Sequence, residues 1–351
     1  MKFSKISRIL KSRPYIIAEI GANHNGSLLK AKKQIRLAKK AGCNAVKFQS
    51  WDENLNSEYI YKKNKKLLKD FIKYKLTFAD LLELRRYSKK IKINFGTTVF
   101  NDQQLKEAIN IKCDFIKIAS MDINNIPLLK LVSKIRENLI VSTGFAVEKE
   151  IVLASKILKK FKKKNIIFLH CVSLYPPKKV EDINLLNIKH IKKITGFETG
   201  FSDHTIWDET CLVATSLGSV VLEKHFTDNK KSAGWDHSIS ADFKEMKSIV
   251  NSCKKIKGLI GKMNRQISQE EIKQGNIMKR SVITSKDIEK NQKFSFDNLT
   301  IQRPGTGLEP KFLDTLIGKK SWKNIKKGTI LKKKLLIITI LRGSSTNNQC
   351  A

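Results

Sequence analysis

The run VVLEKHFT, residues 220–227, ends a hydrophobic stretch on three ionisable side chains, Glu223, Lys224 and His225. Such groups are costly to bury unless they are paired or hold a metal. Similar residues close other apolar runs. Glu19 lies in YIIAEIG with Asn23 and His24 just beyond, Lys47 and Gln49 in AVKFQSW, and Thr97 and Thr98 in INFGTTVF. Lys117 and Ser120 end FIKIAS, His170 and Ser173 lie in IIFLHCVS with Tyr175 following, and Ser202, Asp203 and His204 lie in TGFSDHT. Two neutral imidazoles, His204 and His225, suit a divalent ion such as Mn2+, Fe2+, Co2+ or Zn2+. Against this, a lone histidine at a strand end is more often a satisfied structural residue. Lys47 and Lys117, with Thr98 and Ser120 close by, suit a phosphate or carboxylate. Lys47 stands between Val46 and Phe48, which argues against a lysine that merely reaches for solvent. Glu19 and Asn23 suit sugar hydroxyls, and Glu223 suits a water-deprotonating role. The competing reading for both glutamates is an ion pair with lysine. His24 and His170 stay open between site and support, and Tyr175 before Pro176 and Pro177 is equally a packing residue at a turn.

These residues need elements that gather them. Eight β-rich runs recur, at 15–21, 45–51, 93–100, 115–120, 139–144, 166–173, 199–205 and 220–226. Amphipathic stretches separate them. SLLKAKKQIRLAKKAG opens on Ser27 as an N-cap, repeats apolar residues at helical spacing and stops at Gly42. FADLLELRRYSKKI and IPLLKLVSKIREN read the same way. Near-continuous apolar strands alternating with helices predict a parallel sheet covered on both sides. Eight of them predict a (β/α)8 barrel, whose functional groups collect at the C-terminal ends of the strands. A doubly wound sheet is the competitor, but GANHNG after the first strand is not the Gly-rich turn expected there.

Beyond the barrel, residues 1–260, the stretch 261–276 reads as a linker. Residues 277–336 read as a small β-rich domain, and 337–351 as a loose tail.

The net charge of +37 over 351 residues invites a nucleic-acid reading. The excess is mostly lysine, spread along the chain, with no aromatic–basic interleaving or recognised motif. It predicts a solvated surface, no nucleic-acid partner, and a field that draws small anions. The longest apolar run, LLIITIL, is too short to span a bilayer. The N-terminus lacks the apolar core of a signal peptide. Six scattered cysteines without a CxxC fit reduced thiols, so the expected location is cytoplasmic.

Taken together, IAEIGANHNG, AVKFQSW, FIKIAS, VSTG, HCVSLYP, GFSDHT, VLEKHFT and GWDHSIS, then RSVITSKDI and IQRPGTGL, resemble the sialic acid synthase family over about residues 14–336. The last two segments resemble that family's antifreeze-like, or SAF, domain. The resemblance implies condensation of phosphoenolpyruvate (PEP) with an N-acetylmannosamine-type sugar, giving a nine-carbon 2-keto acid and phosphate. It implies that His204 and His225 hold a divalent metal, Mn2+ first, with Mg2+ or Co2+ as alternatives. Lys47, Thr98, Lys117, Ser120, Ser173 and Ser202 would hold PEP. Glu19, Gln49, Tyr175 and Asp236 would contact the sugar. It further implies a domain-swapped homodimer in which Arg303 of one SAF domain reaches the partner's barrel. Glu223 is then the residue expected to orient the attacking water, with Glu19 as its rival.

Two departures bear on the substrate. Ser173 stands where the family often has Asn, and Trp235 where GPDH is the more usual pattern. A PEP synthase with a phosphorylated aldose acceptor, and a non-enzymatic carbohydrate- or ice-binding protein, are the competing readings. The second predicts decay of the barrel residues, yet Glu19, Lys47, Lys117, His204, Glu223 and His225 are all present.

Overall fold

A computed structural model describes residues 13–160, 166–261, 263–334 and 337–338. The basic N-terminal stretch, most of the expected tail, most of LLIITIL and Cys350 lie outside the described residues. The chain divides into two compact units after Gly261.

The first unit is a closed barrel of eight parallel strands in sequence order. They are β1 (Tyr15–Glu19), β2 (Ala45–Gln49), β3 (Asn94–Thr98), β4 (Phe115–Ile118), β5 (Leu139–Ser142), β6 (Ile166–Cys171), β7 (Glu198–Asp203) and β8 (Val221–His225). All eight expected strands form, and β8 closes on β1 through Ile17↔Glu223 and Glu19↔His225. Helices follow them in turn: α1 (Leu28–Ala41), α2 (Glu58–Lys63), α3 (Lys65–Tyr74), α4 (Phe78–Lys90), α5 (Asp102–Asn110), α6 (Ile126–Val132), α7 (Glu148–Lys159), α8 (Asn187–Thr195), α9 (Glu209–Ser216) and α10 (Phe243–Ile260). Helix α1 starts and stops as the sequence predicts. The Ser27 side chain accepts from Lys30 N, and Gly42 closes the helix at φ 96°.

Strand alternation sorts the side chains. Val46, Phe48, Phe95, Ile116, Val141, Phe168, Phe201 and Leu222 face the helices and form the main core with them. Tyr15, Ile17, Ala45, Phe115, Ile140, Ile167, Leu169 and Val221 form a separate cluster inside the barrel. Two residues further along each strand, the same inward face carries Glu19, Lys47, Lys117, Ser142, Cys171 and Glu223. An apolar plug therefore closes the barrel beneath a polar floor. Gly96 makes room for that plug: a Cβ there would sit 2.3 Å from the Phe115 ring.

The same alternation explains the mixed charges of EKH. Glu223 and His225 share the inward face, and Lys224 takes the opposite one. Its Nζ donates to Asp203 Oδ2 at 2.7 Å and to the Thr205 carbonyl at 2.9 Å, with both ions buried.

The second unit opens with α11 (Gln269–Met278). Its N-cap Ser268 accepts from Glu271 N at 3.0 Å. The stretch 261–276, expected as a linker, is thus helical from Gln269 onward. Strands β9 (Ser281–Thr284) and β10 (Leu299–Gln302) pair antiparallel, and single bridges join Ile283 to Ile330 and Ile288 to Ile325. The short helix α12 (Leu313–Leu316) follows. Val282, Ile288, Phe294, Leu299, Leu308, Leu316, Ile325 and Leu331 give this unit its own core.

Removing one ion of a buried pair leaves the other uncompensated. Lys224→Met is therefore expected to lower the unfolding free energy by about 3–5 kcal/mol, read from denaturant titration. A loss under about 1 kcal/mol would show that this ion pair does not matter to the barrel wall.

Candidate active site

At the C-terminal end of the barrel lies a cavity of about 350 Å³. Twelve of the residues picked out from the sequence line it: Glu19, Lys47, Gln49, Thr98, Lys117, Ser120, Ser173, Tyr175, Ser202, His204, Glu223 and His225. Asp236 is adjacent, its Oδ2 3.6 Å from His225 Nδ1. Arg303 is exposed in the second unit.

The floor is a charge cluster. Lys47 Nζ pairs with Glu19 Oε2 at 2.5 Å and lies 3.9 Å from Glu223 Oε2. Lys117 Nζ lies 3.9 Å from Glu223 Oε1. Hydroxyls complete the set. Lys47 donates to Thr98 Oγ1 at 2.9 Å, Lys117 to Ser142 Oγ at 2.5 Å, and Ser202 Oγ to Glu223 Oε1 at 3.1 Å. Gln49 Nε2 donates to Glu19 Oε1 at 3.0 Å. The register of β2 explains why these contacts form: Lys47 lies beside Glu19 on one side and Gln49 beside Thr98 on the other.

The two carboxyls are driven apart. Burial raises Glu19 to about 8, Lys47 opposes this, and Glu223 adds to it. Glu223 is also buried, but Lys117 and Lys47, with the Ser202 hydroxyl, outweigh burial and hold it below the usual carboxylate value. One carboxyl thus keeps its proton near neutrality while the other stays ionised.

A third group of residues forms a hydroxyl shelf. Ser120 Oγ accepts from Gly144 N at 3.1 Å. A Cβ on Gly144 would lie 2.0 Å from Ser173 Oγ and 2.7 Å from Ser120 Oγ, so the shelf depends on glycine there.

The imidazoles sit with ring centroids 5.4 Å apart, and Tyr175 lies 4.1 Å from the ring of His204. His204 Nδ1 lies 2.9 Å from the Val172 carbonyl. Cys171 and the Val172 carbonyl outweigh burial and raise His204 above its ordinary value; once the ring is neutral, donation to that carbonyl leaves the lone pair on Nε2. His225 is buried with no hydrogen-bond partner for Nδ1 among the described residues, and burial, together with nearby His204 and Lys47, holds it neutral. Among the described residues no three His, Cys, Asp or Glu side chains form a metal cluster. The two imidazoles of the cavity, His204 and His225, are the groups that could ligate a divalent ion.

Other marked residues have structural roles. Asn23 Nδ2 donates to the Phe226 carbonyl and Ser240 Oγ, so its donors hold the β8 loop and do not face the cavity. His170 Nε2 is 2.7 Å from the Ile183 carbonyl, and His24 Nδ1 accepts from Gly26 N. Sequence reading missed Ser142, which follows Lys117 on the inward face one strand over. It also missed Cys171, 3.8 Å from His204 Nδ1. Burial pushes this thiol up, but His204 beside it, with the Ser173 and Ser120 hydroxyls, more than offsets that, bringing it to about 7. The five described cysteines are all free and buried.

A profile of the NeuB family matches residues 34–265, and one of the SAF domain matches residues 279–337. The chain belongs to the NeuB family. It is an enzyme of the sialic acid synthase type, a transferase that forms a carbon–carbon bond. It is 35% identical to the pseudaminic acid synthase of Campylobacter jejuni over 91% of this chain and 95% of that one. It is 34% identical to the N,N'-diacetyllegionaminic acid synthase of the same species, over 90% of this chain and 98% of that one. The crystal structure of the N-acetylneuraminic acid synthetase of Leptospira borgpetersenii, in complex with citrate, superposes with a TM-score of 0.69 at 34% identity. It covers 75% of this chain and 90% of that one. No helix among the described residues is long and apolar enough to cross a membrane.

The raised Glu19 makes stability depend on pH. Between its ordinary value of 4.5 and about 8, the native carboxyl keeps a proton that the unfolded chain has released. Raising the pH across that window then favours unfolding. The substrate-free protein is expected to lose stability from about pH 5.5 to 7.5, at up to about 1.4 kcal/mol per pH unit from this group. Glu19→Gln is expected to flatten that slope in denaturant titrations. An unchanged slope would mean that Glu19 ionises normally.

Proposed function

We propose that this enzyme condenses PEP with an open-chain N-acylmannosamine-type sugar, giving a nine-carbon 2-keto acid and phosphate. The observation that carries this reading is the buried pair of lysines set between two unlike carboxyls, with serine and threonine hydroxyls and two imidazoles around one cavity. The names of the pseudaminic and legionaminic acid relatives support the product class.

PEP is a trianion and needs fixed cations. Lys47, Lys117, Thr98, Ser120, Ser173 and Ser202 supply cations and hydroxyls to the cavity. Glu19, Gln49 and Tyr175, with Asp236 beside His225, are left for the acceptor. His204 and His225 would hold a divalent ion, Mn2+ first. The chemistry such an ion supplies when bound is Lewis-acid polarisation of the acceptor's aldehyde oxygen.

The bond-making order follows from PEP itself. Its C3 attacks the aldehyde carbon, and the aldehyde oxygen takes up a proton. Water adds to C2 and gives up a proton. The C2–O bond to phosphate then breaks, the remaining C2 hydroxyl proton passes to the departing phosphate, and the ketone is left. Glu19, held protonated, is placed to donate, and Glu223, held ionised, to accept the proton from water. Two titratable groups whose environments push them apart are what such a division of labour requires.

Arg303 completes the reading. We place it over the sugar's N-acyl group in the partner subunit's barrel, within a domain-swapped homodimer.

With Mn2+, phosphate release from PEP is expected with an N-acylmannosamine-type acceptor and not with arabinose 5-phosphate. It should be lost with EDTA and in His225→Ala. Release only with the pentose phosphate, or with no sugar at all, would overturn the proposal.

The swapped arrangement has its own test. Arg303→Ala and Glu223→Gln variants should each be inactive, while co-refolded mixtures should regain about a quarter of wild-type activity, since half of random dimers are hybrids with one intact site. No recovery in verified hybrid dimers would place Arg303 on its own barrel or outside the reaction.

A further inference from the structure

Arg303 stands in the second unit, so whatever aims it belongs to that unit. The segment QRPGTGL has little of its own to fix a long cation. Two of its residues are glycines, and its proline has no N–H to pair. A free turn of this kind would have to be ordered at each binding event, at a cost in affinity. The surroundings of the turn remove that freedom.

Ser281 opens β9 opposite Gln302, the last residue of β10, and is fully buried. Its hydroxyl donates to the Pro304 carbonyl at 2.6 Å and accepts from Gly307 N at 2.8 Å. One short side chain thus ties both ends of the turn, using the donor and the acceptor that a hydroxyl combines. Helix α11 holds the middle, where Gly305 N donates to the Asn276 carbonyl at 2.8 Å. A Cβ on Gly305 would lie 2.5 Å from Lys279 Cβ, and one on Gly307 would lie 2.6 Å from the Leu331 carbonyl oxygen and 2.9 Å from Ser281 Cβ. Both glycines therefore stand where the turn is pressed against its neighbours. Leu308 N then donates to the Leu331 carbonyl at 2.6 Å, and the Leu308 carbonyl accepts from Val282 N at 2.9 Å. The backbone is pinned at 304, 305, 307 and 308. Arg303 remains exposed, and it is the one charged side chain from Gln302 to Leu308.

We propose that Ser281 is a positioning residue for the reaction. With α11 it holds the turn 303–307 so that the Arg303 guanidinium is presented in one place before the sugar binds. Ser281 touches no substrate and acts through Arg303. This rests on the reading that puts Arg303 in the partner subunit's barrel, and it extends that reading: a residue buried in one subunit governs acceptor binding in the other.

The test is steady-state kinetics of the full-length dimer with Mn2+, PEP and whichever of N-acetylmannosamine and 2,4-diacetamido-2,4,6-trideoxymannose turns over, well below the unfolding temperature of each variant. Ser281→Ala loses both hydrogen bonds and is expected to raise the KM for the sugar about tenfold, with the KM for PEP unchanged. Gly305→Ala, which pushes the same turn off α11 and keeps the hydroxyl, should do likewise, so the outcome does not hang on the folding of one variant. A merely structural serine would move both KM values or neither, and either result would overturn the proposal. Subunit mixing gives the second readout. Co-refolded with excess Glu223→Gln, Ser281→Ala chains should regain the wild-type KM for the sugar, because each active barrel is then served by an unaltered turn. Co-refolded with excess Arg303→Ala, they should keep the raised KM. If the raised KM persists in verified hybrids with Glu223→Gln, while Arg303→Ala chains are rescued by that same partner, the role of Ser281 is overturned and the swapped arrangement stands. If Arg303→Ala chains are not rescued either, the swapped reading falls and the proposal with it. Phosphate release with neither sugar would overturn the condensation reading and all that rests on it.

Discussion

Two ammonium groups and two carboxyl groups sit within a few ångströms of one another on the floor of the barrel's C-terminal cavity, almost fully buried. Each alone would be prohibitive there. Lys47 is tolerated because Glu19 and Glu223 flank it. Lys117 is tolerated because Glu223 and Ser142 receive it. The arrangement is balanced but not symmetric. Glu223 faces two cations and stays charged. Glu19 shares its cation and is driven toward the neutral form. A site built this way has local charges already oriented before any substrate arrives, and preorganised charge is the larger part of what a protein can contribute to a reaction between an anion and a carbonyl.

The barrel exists to make that cluster tolerable. Inward residues one step below it are Tyr15, Ile17, Ala45, Phe115, Ile140, Ile167, Leu169 and Val221. They shut the far end and keep water from reaching the lysines from beneath. Parallel pairing sets neighbouring strands in a stagger that puts Glu19 beside both Lys47 and His225. The loops then add what strands cannot. The Gly144 turn brings two serines together, and the loop after β8 carries Asp236 to His225 and Trp235 to Phe71 and Tyr74.

Much of this was legible in the residues because alternation in a strand is a rigid rule. An apolar run that carries Lys47 between Val46 and Phe48 forces the lysine inward once both neighbours are known to meet helices. Glu223 and His225, two apart, share a face for the same reason. Resemblance added the roles that spacing leaves open, above all those of Ser173, Asp236 and Arg303. What escaped the sequence depends on contacts between distant loops. Phe71 and Tyr74 lie in a lysine-rich segment that carries no motif, and only their contacts with Trp51 and Trp235 bring them together. Asn23 is the opposite case. It stands among site residues in the chain, yet its amide is consumed by Phe226 and Ser240. The linker between the units was read from its polarity, which a short, largely exposed capped helix such as α11 shares.

The alternation within EKH also constrains how such a chain can change over generations. Substitutions there act one at a time, and a conservative exchange at Glu223 or Lys224 leaves the other where it was. A single-residue deletion in β8 does not. It would turn Lys224 into the barrel and Glu223 out against Asp203, placing a third cation on the floor and two carboxylates together in the wall. Both faces would fail at once. This short strand is therefore expected to accumulate exchanges but never gain or lose a residue.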